Sequence, residues 1–194
     1  MGTNMKYKVK EEEVIYDGFF KFSKLKVEFE KYNGDKGIKN VEMFERGDSA
    51  SVVLYETDTN SLLFTEQFRY PTTINSNGWL IELVAGKIDE NEEPELTTKR
   101  EIEEEIGYRV SKFENIGIYY LSPGGTSERI HIFYAEVKST DKTLEGGGKY
   151  DESEDIKLIK IQIEDLSSAM KSGQINDAKT AIGLSWYLAN KKKD

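Results

Sequence analysis

Apolar and polar residues alternate through the first part of the chain. Phe20, Phe22, Leu25, Val27 and Phe29 recur with strand spacing, and Asp17-Gly18 and Asn33-Gly34 interrupt the run as turn signals. Residues 1–47 therefore predict a small antiparallel sheet. The segment 51–70 predicts a hairpin, with two apolar runs around the turn Thr57–Asn60. GWLIELVAG, residues 78–86, predicts one short buried strand ending at Gly86. The pattern then changes period. Pro94 suits a first helical turn, Ile102 and Ile106 lie four apart, and Gly107 suits a C-cap, so a helix is predicted over 94–106. Strands are predicted at 112–121, 129–137 and 156–163. SPGGTSE, residues 122–128, reads as a polar loop, and 143–155 reads as a mobile, glycine-rich acidic loop. Two helices close the chain, the second with Asn176 or Asp177 at its N-cap. Many strands and few helices predict an α+β fold rather than a βαβ alternation. Two parts are expected, an N-terminal β-sheet subdomain over 1–47 and a second domain over 48–194.

Composition narrows the chemistry. The 194 residues carry a net charge of −9, which argues against nucleic-acid binding through a basic surface. There is no cysteine, so disulfides, thiolate catalysis and Cys-ligated zinc are excluded. His131 is the single histidine, so a multi-histidine metal site is excluded too. Its place between Ile130 and Ile132 suits a histidine satisfied within a sheet. Any metal must be hard and oxygen-ligated: Mg²⁺, Mn²⁺ or Ca²⁺. No stretch approaches a membrane span and the N-terminus has no apolar leader region, so a cytoplasmic location without membrane contact is expected.

The sharpest chemical signal is REIEEEIG, residues 100–107. At helical spacing Glu101, Glu104 and Glu105 fall within about 100° of arc, away from Ile102 and Ile106. Like charges repel at this spacing, and the C-terminal end of a helix is itself negative. A solvated acidic face is the plain reading. A bridging cation is the functional one, and Mg²⁺ suits it because it takes one or two carboxylates and leaves positions for phosphate.

The surrounding spacing decides between them. Gly86 is followed by five residues, Glu92, seven residues and Arg100-Glu101, then Ile102, Glu104, Glu105, Gly107 and Tyr108. The run GKIDENEEPELTTKREIEEEIGY resembles the Nudix box, with Tyr108 standing where an aliphatic residue is usual. The resemblance implies a Nudix fold: a mixed β-sheet core between helices, an α/β/α sandwich, here with the N-terminal sheet added. It also implies a loop–helix–loop that holds divalent cations and hydrolysis of a nucleoside diphosphate linked to another moiety. In such boxes Arg100 orients the glutamates, while Gly86, Glu92 and Gly107 shape the motif.

Further segments resemble a narrower group, the dimeric ADP-ribose pyrophosphatases and the related GDP-mannose pyrophosphatases. They are FERGDSA (44–50), EQFRYP (66–71), LIELVAGKID (80–89), YLSPGGTSERIHIFYAE (120–136), YDESEDI (150–156) and GQINDAKT (173–180). For this chain the resemblance implies metal ligation by the Ala85 carbonyl, Glu101, Glu105 and Glu154. It implies Glu152 as the base that activates water, with Glu104 as the rival. Arg69 and Arg46 would contact pyrophosphate or sugar, Arg46 from the same subunit or from a partner subunit. Glu128 would contact the second half of the substrate, beside a loop shaped by Pro123, Gly124 and Gly125. A homodimer with an exchanged N-terminal sheet is implied as well. For base stacking the N-terminal segment offers Tyr16, Phe19 and Phe20, each of which could equally be core.

The expected activity is Mg²⁺-dependent cleavage of a nucleoside diphosphate sugar, with Mn²⁺ as a substitute metal. ADP-ribose, giving AMP and ribose 5-phosphate, is placed first. GDP-mannose, giving GMP and mannose 1-phosphate, is the alternative. A Nudix domain that senses ADP-ribose without cleaving it comes third, because this chain keeps Glu101, Glu104 and Glu105.

Overall fold

The computed structural model describes residues 6–150 and 153–191. The chain divides into two compact units. The first contains the residues up to Gly47 together with Tyr120–Glu128, and the second contains Asp48–Tyr119 and the chain from Arg129 onward.

The first unit is built on an antiparallel sheet of β1 (Tyr7–Asp17), β2 (Lys21–Glu30) and β3 (Lys36–Glu45), in the order β1-β2-β3. The two turn signals fall between these strands, with Gly34 at φ +86°. Every residue of β1 is exposed in the isolated chain, including Tyr7, Val9, Val14, Ile15 and Tyr16. The segment Tyr120–Glu128 joins this unit through the Phe44 amide, which donates to the Gly125 carbonyl at 2.8 Å.

The second unit centres on a mixed seven-stranded sheet. Its strands are β4 (Ser49–Glu56), β5 (Ser61–Phe68), β6 (Trp79–Glu82), β7 (Val84–Lys87), β8 (Glu114–Tyr120), β9 (Arg129–Val137) and β10 (Lys157–Gln162). The main order is β10-β5-β4-β9-β8, with β6 on β5 and β7 on β4. β4 runs parallel to β9 and antiparallel to β5 and β7. The helices are α1 (Pro94–Ile106), α2 (Leu166–Ser172) and α3 (Ala178–Asn190).

β4 shows why the sheet is sandwiched. Ala50, Val52 and Leu54 pack in one cluster with Ile102 and Ile106 of α1. The alternate residues face α3: Tyr55 lies 5.8 Å from the Tyr187 ring, and a Cβ added at Gly183 would fall 2.6 Å from a Val53 methyl. Period two along the strand thus serves one helix on each face. Burying Ile102 and Ile106 completely contributes about 1.5–3 kcal/mol each and seats α1 on the sheet. The architecture is α+β with an N-terminal antiparallel sheet, as the sequence predicts.

One predicted element divides. Residues 78–86 form two strands, because the Leu83 amide leaves the ladder and donates to Thr180 Oγ1 of α3 at 3.0 Å. The helix α1 has the predicted limits. Gly107 takes φ +76° and its amide donates to the Glu103 carbonyl. Asp177 caps α3, accepting from the Thr180 amide at 3.0 Å. Among the described residues no helix is long and apolar enough to cross a membrane.

Candidate active site

In the second unit the carboxylates of α1 are organised by Arg100. Its Nη1 donates to Glu101 Oε1 at 2.6 Å and to Glu104 Oε2 at 3.1 Å, and its Nη2 donates to Glu92 Oε2 at 3.3 Å. Thr97 Oγ1 also donates to Glu92, at 2.7 Å, so the loop before the helix is tied to its first turns. The Thr97 and Arg100 bonds hold the Glu92 carboxyl below its usual range. Gly86 packs against Glu101: an added Cβ would lie 2.0 Å from Glu101 Oε1. Ala85 precedes it on β7, paired with Ser51 of β4.

Glu105 stands apart. It is 5% exposed, and among the described residues its buried Oε2 has no hydrogen-bond partner. Burial first, and then the charges of Glu101 and Glu154, push its carboxyl well above the usual range, with Glu82 adding to the rise and Arg69 opposing it. Burial likewise raises Glu101, against the opposing pull of Arg100. A buried carboxylate with no donor is a costly arrangement unless a proton or a cation completes it.

The segment 143–150 is fastened to α1, which differs from the mobile loop expected there. The amides of Thr143 and Leu144 donate to the Gly107 carbonyl at 2.8 and 3.1 Å. Those of Gly147 and Gly148 donate to the carbonyls of Glu105 and Glu104 at 2.8 and 3.1 Å. These bonds satisfy carbonyls that a helix end leaves without partners. Gly146, Gly147 and Gly148 all have positive φ, and a Cβ at Gly146 would meet the Glu105 carbonyl oxygen at 2.7 Å. The fastened loop delivers Glu154, whose Oε2 accepts from the Lys149 amide at 2.8 Å. It also brings Lys149 Nζ to 3.2 Å from Glu104 Oε2. Glu152, expected as the base, lies outside the described residues.

Arg69 meets a partner the sequence reading left unnamed. Its Nε donates to Glu82 Oε2 at 2.8 Å, and Lys179 Nζ donates to the other oxygen of Glu82 at 2.5 Å. Glu82 and Lys179 are both buried. A carboxylate inside the apolar run LIELV was the available signal for this pair. His131 sits on β9 opposite Ala50, with Nε2 at 4.0 Å from Asp48 Oδ2.

In the first unit Arg46 Nε lies 3.5 Å from Glu128 Oε1, and its guanidinium sits over Phe20 at 5.4 Å from the ring centroid. Phe20 packs on Phe44 and is half-buried, whereas Phe19 is 78% exposed and Tyr16 is also exposed. A Cβ at Gly124 or Gly125 would meet nothing within 4 Å, so the turn after Pro123 is open on that side.

The residues present suit a hard divalent cation: every candidate ligand is oxygen, and one buried carboxylate oxygen lacks a donor among the described residues. Among the described residues, no three acidic or histidine side chains are yet gathered closely enough to hold a metal ion. Glu101 and Glu104 are instead turned to Arg100 and Lys149.

A profile of the Nudix domain matches residues 45–180. The chain belongs to the Nudix family. It is an enzyme of that family, a Nudix hydrolase, with the box spread over β7, α1 and Tyr108. The GDP-mannose pyrophosphatase of Citrobacter koseri is 34% identical over 177 residues, covering 90% of this chain and 91% of the relative. That of Escherichia coli O9:H4 is 33% identical over 185 residues, covering 94% and 95%. A crystal structure of an ADP compounds hydrolase superposes with a TM-score of 0.73 over 97% of both chains. At 17% identity that likeness concerns the Nudix fold alone.

Proposed function

We propose that this Nudix hydrolase cleaves, with Mg²⁺, the pyrophosphate bond of a nucleoside diphosphate sugar of the GDP-mannose type. Water adds to one phosphorus, the bridging P–O bond breaks, and GMP and mannose 1-phosphate leave. The sequence placed ADP-ribose first. The names of relatives that share a third of their residues along nearly the whole chain favour the GDP-mannose order.

The observation that carries the hydrolytic reading is Glu105, a buried carboxylate with one oxygen lacking a donor and acidic neighbours around it. The Ala85 carbonyl, Glu101, Glu105 and Glu154 would hold the cation. Once bound, a divalent ion neutralises phosphate oxygens and makes water a stronger nucleophile. Arg100 orients Glu101 and Glu104 from one guanidinium. Arg69 is anchored to Glu82 through Nε, which leaves its terminal nitrogens to donate to phosphate. Glu152, or Glu104 in its place, takes the proton from water. Arg46, Glu128 and the turn Pro123–Gly125 contact the substrate, and the exposed apolar side chains of β1 support a homodimer built through the N-terminal sheet.

Hydrolysis of GDP-mannose and ADP-ribose, each with Mg²⁺ and with EDTA and with products separated by chromatography, tests this reading. Faster cleavage of GDP-mannose, lost in EDTA, is expected. Faster cleavage of ADP-ribose overturns the substrate order. Cleavage of neither, with binding of ADP-ribose alone, overturns catalysis.

A further inference from the structure

The carboxylates of α1 carry two cationic partners of different kinds. Arg100 is locked: its guanidinium bonds Glu92, Glu101 and Glu104 together. Lys149 reaches the cluster on a flexible aliphatic stem. Its ammonium lies 3.2 Å from Glu104 Oε2, the same oxygen that Arg100 takes at 3.1 Å. About a third of the Lys149 side chain is exposed (35%), so water can receive the ammonium if it leaves. Its backbone, by contrast, is fixed. The preceding amide, of Gly148, donates to the Glu104 carbonyl, and its own amide donates to Glu154 Oε2 at 2.8 Å. Lys149 therefore touches one carboxylate of α1 with its ammonium and the carboxylate of Glu154 with its amide.

We propose that Lys149 is a tethered counter-ion of this carboxylate cluster, one that competes with the divalent cation and swings to solvent when the cation binds. The inference rests on the divalent-cation reading above. Three glutamates on one helix face need positive charge in the metal-free protein, and Arg100 supplies one unit. Lys149 supplies a second through a flexible four-carbon stem, which can depart without breaking backbone bonds. A divalent cation arriving at Glu101, Glu105 and Glu154 brings two positive charges beside Glu104, the carboxylate that Lys149 pairs with. The ammonium is then redundant there and repelled. The threshold for metal loading is thereby set by a residue outside the box. The glycine run that precedes Lys149 is what lets the chain lie close enough to present it.

Mn²⁺ binding to the full chain, followed without nucleotide by the electron paramagnetic resonance signal of free Mn²⁺, tests this for wild type, Lys149→Met and Lys149→Arg. Lys149→Met is expected to bind Mn²⁺ at least about threefold more tightly, because a competing charge is gone, while Lys149→Arg stays within about twofold of wild type. The melting temperature in EDTA should also drop for Lys149→Met and recover with Mn²⁺. If wild type binds Mn²⁺ and Lys149→Met binds it equally or more weakly, the counter-ion inference is overturned and the cation reading stands. A raised KM for sugar nucleotide with unchanged Mn²⁺ affinity also overturns it, making Lys149 a phosphate contact. If no form binds Mn²⁺, the cation reading and the inference fall together.

Discussion

The hydroxyl of Tyr108 donates to Glu56 Oε1 at 2.5 Å, inside the sheet-and-helix core. Glu56 has no exposed surface, and its other oxygen accepts from Lys160 Nζ at 2.5 Å and from Thr59. Burial pushes the Glu56 carboxyl up, but the bonds from Lys160, Thr59 and Tyr108 together bring it below its usual value. Tyr108 occupies the last box position, where an aliphatic residue is usual, so the departure has a purpose in the fold. It ties the exit of α1 to β4 and β10. Tyr108→Phe removes a hydrogen bond to a buried charge and should cost about 1.5–3 kcal/mol, read as a lower urea midpoint. A midpoint equal to wild type would show that Lys160 and Thr59 suffice.

Acid unfolding should report the same network. The folded-state carboxyl of Glu56 is depressed, so its contribution is present above the unfolded value and is lost as pH falls through the folded one. Glu56→Gln should therefore be less stable than wild type at pH 7, and the difference should shrink as pH drops below the usual carboxylate range. Thermal melts from pH 7 to pH 3 check it. A difference that widens toward low pH has the wrong sign for this account.

Glu105 behaves in the opposite sense. Its folded-state carboxyl is raised by burial and by the charges of Glu101 and Glu154. Its contribution to stability in the absence of metal is complete below the unfolded value and is lost as pH rises through the folded one. In EDTA, Glu105→Gln should match wild type at low pH and equal or exceed it in melting temperature at pH 8, while losing most activity with Mg²⁺. Normal turnover by this variant would remove Glu105 from the proposed ligand set.

Gly86 tests the approach of β7 to α1. The Cβ of Gly86→Ala would displace the Glu101 carboxylate, whose Oε1 lies 2.0 Å from the added atom. The obstructed group is the tip of a side chain, so the fold can adjust. Catalysis depends on placement, and a shift of about 1 Å can cost about 100-fold. A fall of that order in kcat/KM with a small change in melting temperature is expected. Equal, large losses in both would mean that the strand itself moved.

The glycine run gives a prediction about motion. Gly146→Ala forces a side chain into a positive-φ position and against the Glu105 carbonyl, at a cost of about 1–3 kcal/mol locally. The amides of Gly147 and Gly148 should then exchange hydrogen faster, measured by mass spectrometry on the peptide that contains them. Unchanged protection would mean that the loop is not held by these bonds.

By itself the sequence determined the local elements and the family. Alternation placed the strands, and Pro94, the spacing of Ile102 and Ile106, and Gly107 placed α1 at its observed limits, because capping and periodicity act within a few residues. The seven fixed residues of the box identified the family for the same reason, since their spacing lies along one chain segment. Tertiary structure decided what depends on distant residues meeting. Thr180 splits the strand over 78–86 by taking the Leu83 amide from 97 positions away. Glu82 receives Arg69 and Lys179, and Tyr108 finds Glu56 across 52 positions. The backbone carbonyls at the end of α1 attract the glycine loop and bring Lys149 and Glu154 with it. No local pattern encodes these encounters, because each partner is a common polar residue whose role appears only when folding buries it beside groups distant in sequence.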